Sequence, residues 1–330
     1  MRRPNEPGPF DRDGSRARVA AMEDTTFRAV DDLSLAGYLW RPKDEPKAIL
    51  QIAHGMAEHA RRYDRVARHF ADQGWLVVAH DHRGHGRSVL DGAPLGHMAD
   101  EDAWTKAVED VRRVGQAVRK EHPGLPVVLL AHSMGSFMAQ ALLADAPDGY
   151  AAVALSGSNG KPPPLAHAGR LVTRLERLRL GRRATSPLLQ KLSFGSFNKG
   201  FEGRTEFDWL SRDPTEVDAY LADPLCGFAL SVQSWLDMLD ALPGLLAPRR
   251  LARVPKELPV YVFGGDADPV SEKGRGLVRL SDTLRAAGLR RVELKLYPGA
   301  RHETLNETNR EEVTDDLLRW AETAHAGASP

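Results

Sequence analysis

One serine in this chain stands where a nucleophile could be built. Residues 127–135 read Val-Val-Leu-Leu-Ala-His-Ser-Met-Gly, and helix-compatible residues 137–143 follow. A strand that turns sharply into a helix at a serine leaves the hydroxyl standing above the turn. Backbone crowding then requires small residues two places before and after, here Ala131 and Gly135. The helix N-terminus beside the hydroxyl favours developing negative charge. The five-residue pattern alone has low specificity, since a small-x-Ser-x-Gly match arises by chance roughly a few tenths of a time in a chain of this length. Ser158 and Ser193 also have glycine two places on, but Ser156 and Lys191 occupy the positions two before. The competing role for Ser133 is an ordinary helix N-cap.

A serine hydroxyl needs a base to take its proton, and the base needs a carboxylate to fix its tautomer. For a serine in such a turn, the acid and then the histidine follow in chain order. The apolar run 260–264 leads into Gly265-Asp-Ala-Asp-Pro-Val270. Asp268 is favoured as the acid because Pro269 biases it away from helical backbone, and Asp266 is the alternative. Of twelve histidines, His302 is the one that lies after both serine and acid in a loop beyond a strand, a Pro-Gly loop expected to be flexible. The tetrahedral intermediate needs two amide donors. Met134, directly after the serine, supplies one. Gly55 lets the loop after residues 49–53 come close, which makes the amide of Met56 the second. His54 and His59 in that loop are expected to order it by hydrogen bonding.

These residues need a scaffold, and the pattern of the chain supplies one. Apolar strand-length runs at 49–53, 75–80, 127–131, 151–156, 260–264 and 292–297 alternate with helical stretches at 63–73, 101–121, 276–287 and 304–325. Residues 25–30 and 35–39 flank Asp31-Asp32 as an antiparallel hairpin. Such alternation predicts an α/β fold with a mostly parallel sheet, whose ligands bind beyond the carboxyl ends of the strands. Residues 157–254 break the pattern and predict a helical cap. The expected division is a leader over 1–24, a core over 25–156 plus 255–325, and the cap over 157–254.

Composition narrows the function. Lys plus Arg and Asp plus Glu both number 45, so no charge excess points to nucleic acid. The lone Cys226, expected to be buried, excludes an internal disulfide framework and fits a reducing compartment. No run reaches the roughly 18 apolar residues of a membrane span, and residues 1–18 lack the apolar region of a secretory signal. The expected location is the cytoplasm. In the cap, Leu171, Val172, Leu175 and Leu178 share one helical face, with Arg170, Arg174, Arg177, Arg182 and Arg183 elsewhere. Peripheral membrane contact through 169–183 is one reading. Inward packing of the leucines under a solvated basic face is the preferred one.

A second motif pulls elsewhere. His80-Asp-His-Arg-Gly-His85 is similar to the His-x-His-x-Asp-His signature of metallo-β-lactamase-type hydrolases, but Gly84 stands where the carboxylate ligand belongs. A turn stitched by Asp81 and Arg83 is the better expectation.

The whole chain from about residue 25 to 325 resembles the monoglyceride lipase and lysophospholipase branch of the α/β-hydrolases, which is grouped with the serine aminopeptidases of that fold. Six blocks carry the resemblance: His54–His59 with Arg62-Tyr63, Asp81–Ser88, His132–Gly135, Phe207–Asp213, Gly265–Val270 and Gly299–His302. Ala131 departs from the commoner glycine, though it is still small. The resemblance implies an eight-stranded sheet, Ser133, Asp268 and His302 as triad, and the Met56 and Met134 amides as oxyanion hole. It also implies that Glu58 and Arg62 help order the polar head-group end of the site. The function implied is hydrolysis of an acyl ester (a monoacylglycerol, a lysophospholipid or a related ester) through an acyl-enzyme, with no cofactor. Peptidase activity is the alternative.

Overall fold

The computed structural model describes residues 21–145, 149–160 and 165–326. Its eight strands are β1 (Met22–Arg28), β2 (Ser34–Trp40), β3 (Ala48–Ala53), β4 (Trp75–His80), β5 (Val127–His132), β6 (Ala152–Ser156), β7 (Val260–Gly265) and β8 (Val292–Tyr297). They form one sheet in the order β1-β2-β4-β3-β5-β6-β7-β8. The first two strands pair antiparallel, as does β2 with β4, and every later pair is parallel. Strands β3 to β7 are buried on both faces, which is why they read as continuous apolar runs rather than alternating ones.

The sheet divides the core in two. Ile49, Leu76, Val78 and Leu129 point into one layer, under α2 (Ala103–Glu121), α3 (Met134–Asp145) and α9 (Arg275–Ala286). Leu50, Ile52, Val77 and Leu130 point into the other, under α1 (Asp64–Asp72) and α10 (Arg310–Ala326). This period-two split is what a strand dictates. The cap between β6 and β7 contains α4 (Leu165–Leu180), α5 (Pro187–Phe194), α6 (Pro214–Ala222), α7 (Val232–Ala241) and the short α8 (Pro248–Leu251). Ser186, Asp213 and Ser231 cap α5, α6 and α7 with side-chain oxygens, satisfying amides that have no partner inside the helix.

Several expectations need correction. Strand β1 opens at Met22, pairing with Trp40, so residues 22–24 of the expected leader belong to the sheet. As a half-solvated edge strand its start is too polar to be read as a strand, and residues 1–20 lie outside the described ones. The helix expected over 304–325 is a short turn at Thr304–Asn306 followed by α10. Cys226 is half-buried rather than core. Of the face expected to pack inward, Val172 meets the core but Leu171, Leu175 and Leu178 do not, being 62%, 58% and 86% exposed. Over residues 169–180 of that helix the buried positions are Thr173 and Glu176, the latter bonded to Ser186. No helix among the described residues is long and apolar enough to cross a membrane.

Candidate active site

Five loops converge at the carboxyl edge of the sheet, beside β3, where the strand order reverses. Ser133 tops β5 at a φ of 50°, the strained left-handed backbone of a nucleophile turn. Its amide donates to Ser156 O (2.9 Å) at the end of β6. The tightness of the turn shows at Gly135, where a Cβ would sit 2.3 Å from Ala53 O. Ser133 Oγ lies 2.9 Å from His302 Nε2, and His302 Nδ1 lies 3.1 Å from Asp268 Oδ1. The same Asp268 oxygen accepts the amide of Val270 (2.8 Å). Asp266 points elsewhere and accepts the amide of Gly299 (2.6 Å).

Burial alone would depress the His302 imidazole. The charge of Asp268, and beyond it those of Glu303 and Glu58, instead holds its pKa above the ordinary value. His132 packs on the same ring at 4.7 Å between centroids, and burial drives it down to about 3, so it stays neutral. Gly157, at a φ of +54°, leaves room for both rings, since a Cβ there would be 3.0 Å from each.

The loop after β3 carries the other expected residues. His54 Nδ1 donates to Gly55 O (2.8 Å) and its Nε2 accepts the amide of His82 (2.9 Å), fixing the loop to the turn after β4. The Gly55 amide is spent on Glu58 Oε1 (2.6 Å), whereas Met56 lines the cavity in front of Ser133. Met134 lines it from the other side as the first residue of α3, where the helix offers its amide no acceptor. Arg62 donates to Glu58 Oε2 (2.7 Å) and, through both terminal nitrogens, to Glu303 (2.7 and 2.7 Å). Glu58 and Glu303 line the cavity; Arg62 lies behind them. Burial drives the Glu58 carboxyl up, while Arg62 outweighs burial at Glu303 and holds it down to about 2.

Glu303 is the residue that sequence reasoning missed. The one signal available was an acid directly after the histidine, and its partner Arg62 is 241 positions away. The His302 loop, expected to be flexible, is bolted to the cap. His302 and Glu303 amides donate to Trp209 O (3.3 Å) and Leu210 O (2.8 Å). Arg301 donates to Asp208 O and Ser211 O and forms a fork with Glu202.

The cavity in front of Ser133 encloses about 230 Å³. Glu58, Glu303 and Tyr220 mark its polar end, and Phe194, Phe197, Trp235, Met238 and Leu239 its apolar depth. Ser193 lines it as well, whereas Ser158 bonds Ser136 and Gln140.

The histidine motif after β4 does another job. His82 spends Nδ1 on His80 and Nε2 on His54 O (3.2 and 3.1 Å), and His85 Nδ1 bonds Arg83 O (3.1 Å). Burial pushes His80 and His85 down to about 3 and about 4. Asp81 accepts from Tyr38 Oη, Ala60 N and Arg87 N, so this turn holds the neighbouring loops. Among the described residues, ligand-type atoms gather only at His59, Asp223 and Cys226. There His59 Nε2 already bonds Asp223 (2.8 Å), tying the loop after β3 to the cap.

Residues 44–309 match the family described as serine aminopeptidase, S33. The chain is 35% identical over 298 residues to a monoacylglycerol lipase of Mycolicibacterium smegmatis, covering 89% of this chain and 95% of that protein. It is 32% identical over 299 residues to the monoglyceride lipase of Homo sapiens, covering 88% of each. A solved thermostable carboxyl esterase from Bacillus coagulans superposes with a TM-score of 0.84 at 28% identity, over 92% of this chain and 99% of that one. With the family match over residues 44–309 and lipase relatives at 35% and 32% identity over most of their length, the chain belongs to the serine aminopeptidase S33 family of α/β-hydrolases, in its monoglyceride-lipase-like branch of carboxylic-ester hydrolases.

Proposed function

We propose that this ester hydrolase cleaves monoacylglycerols, using Ser133, His302 and Asp268 as its triad and the amides of Met56 and Met134 as its oxyanion hole. The observation that carries the reading is the pair of hydrogen bonds joining Ser133 to His302 and His302 to Asp268 at an apolar cavity. Ser133 Oγ attacks the ester carbonyl while His302 Nε2 takes its proton, and Asp268 holds the imidazolium by Nδ1. The carbonyl oxygen becomes an oxyanion between the two amides. Collapse breaks the C–O bond, and His302 returns the proton to the departing glycerol oxygen. Water, deprotonated by the same imidazole, then releases the fatty acid and restores Ser133.

An acyl chain fits the aromatic and aliphatic depth, and a small polyol fits the polar end by Glu58 and Tyr220. The names of the two lipase relatives support the same substrate. The cap, over residues 157–254, carries a ridge of exposed leucines on α4 and α5 that docks on a lipid surface and brings the cavity to its substrate. Ser133→Ala is expected to lower turnover of monooleoylglycerol by about 10⁶-fold and to abolish labelling by a fluorophosphonate. Turnover within a few fold of the parent would sink the assignment. Side-by-side rates on monoacylglycerols, lysophospholipids and aminoacyl-p-nitroanilides test the substrate, and a preference for either of the last two overturns it.

A further inference from the structure

The loop that carries the base and the loop that carries an oxyanion donor are joined by a buried strut. Glu303 follows His302 directly and grips both terminal nitrogens of Arg62. Arg62 also holds Glu58, and Glu58 accepts both the Gly55 amide and the Tyr63 hydroxyl (2.6 and 2.9 Å). Asn306 Nδ2 steadies the far end at Glu303 Oε2 (2.9 Å), and the Arg62 guanidinium lies 4.9 Å above the Tyr220 ring. Both carboxylates are buried. The chain of bonds therefore runs from His302's neighbour to the residue before Met56, and its longest step, Arg62 to Glu303, spans 241 positions of sequence.

We infer that Glu303 is a positioning residue: through Arg62 and Glu58 it fixes the His302 loop relative to the Met56 amide, so that base and oxyanion donor are aligned as one unit. The inference rests on the triad and oxyanion assignments above. A head-group contact is the competing role, and geometry argues against it for Arg62. That side chain lies behind the cavity wall, with its three described hydrogen bonds given to carboxylates. A bidentate fork between buried groups has the stiffness such alignment needs, and sub-ångström placement is what the reaction rewards.

The groups facing His302 also fix the sign of a pH effect. Asp268 lies at Nδ1, Glu303 on its own loop, Glu58 and Arg62 on the oxyanion side, and neutral His132 against the ring. Arg301 is turned away onto Glu202. Replacing Glu303 by Gln leaves Arg62 with one carboxylate, so the imidazolium is less favoured and the acid limb of kcat/KM moves to lower pH.

The test uses the full chain carrying Glu303→Gln, Glu58→Gln or both, assayed on p-nitrophenyl butyrate, which has no polyol, and on monooleoylglycerol. Alignment predicts that kcat falls by about 10²-fold on both esters, with KM unchanged on p-nitrophenyl butyrate, which has no polyol to meet Glu58. It predicts the acid-limb shift for Glu303→Gln, and a double variant no worse than the worse single one, because a strut breaks only once. Loss confined to monooleoylglycerol or to KM, multiplied losses in the double variant, or an unmoved limb would each overturn it. If Glu303→Gln shows no cooperative melt, Glu58→Gln decides alone, and parental kcat there sinks the inference. Ester hydrolysis surviving in Ser133→Ala would instead break the triad assignment, which keeps the two failures apart.

Discussion

The proton affinity of His302 is set by carboxylates at atomic distance, and activity should report it. Burial lowers it, Asp268 at 3.1 Å together with Glu303 and Glu58 raises it, and the net direction is up. A general base must be unprotonated to take the Ser133 proton, so kcat/KM falls as pH drops through this value. The acid limb is therefore expected above the ordinary imidazole value of about 6.5. His132 and the histidines after β4 sit too low to add a second step at that pH. A profile on p-nitrophenyl butyrate with its inflection below 6.5 would contradict this account. Asp268→Asn should cost about 10⁴-fold in kcat by losing the tautomer lock. Asp266→Asn should cost far less, since Asp266 bonds only the Gly299 amide. Pro269 favours Asp268 over Asp266 from the sequence because a backbone restriction is written locally, and Asp268 is the one that lies beside His302. The Glu303 strut was not legible, because nothing in residues 299–306 names a partner in the first quarter of the chain.

At the scale of elements, the turn after β4 sets an arginine in the core. Arg83 is wholly buried and bonds Asp110 on α2 (2.6 Å) and Asp31 in the β1–β2 turn (2.9 Å). This bridges three elements that reach the sheet from different sides. Removing one partner strands the other in the core, so Arg83→Met is expected to cost about 3–5 kcal/mol in urea unfolding. Arg83→Met combined with Asp110→Leu should recover most of that loss; an equal loss in both variants would show that packing rather than charge sets the cost. The strands and helices that place these groups were legible because their periodicities are strong and local. Asp81 and Arg83 were legible as turn residues, but not their partners. The α4 stripe shows the limit most plainly. Spacing identifies which residues share a face, yet it carries no information about what that face meets, and here the leucines meet solvent while Thr173 and Glu176 face the protein.

At the scale of the whole molecule, that outward stripe gives the protein a sided surface. Leu188 and Leu192 on α5 are also exposed, at 46% and 53%, beside the exposed Leu171, Leu175 and Leu178 of the preceding helix in the chain. The helix α5 also contributes Phe194 to the cavity in front of Ser133, so exposed leucines and cavity share one element. The positive charge beside it is largely matched: Arg170 and Arg174 reach Asp240, Arg179 reaches Glu176, Arg182 reaches Glu101, and Arg183 reaches Asp100. Docking on lipid should therefore be driven by apolar area more than by surface potential, which a free arginine would sense at about 1 kcal/mol each. Burying a half-exposed leucine gains about 1 kcal/mol. Replacing Leu171, Leu175 and Leu178 together with serine should then weaken partitioning by about 10²-fold or more. Sedimentation with phosphatidylcholine vesicles measures this, and added anionic lipid should change it little. Hydrolysis of soluble p-nitrophenyl butyrate should persist in the triple variant, since none of the three leucines lines the cavity. Undiminished vesicle binding by that variant, or binding that requires anionic lipid, would refute an apolar docking face.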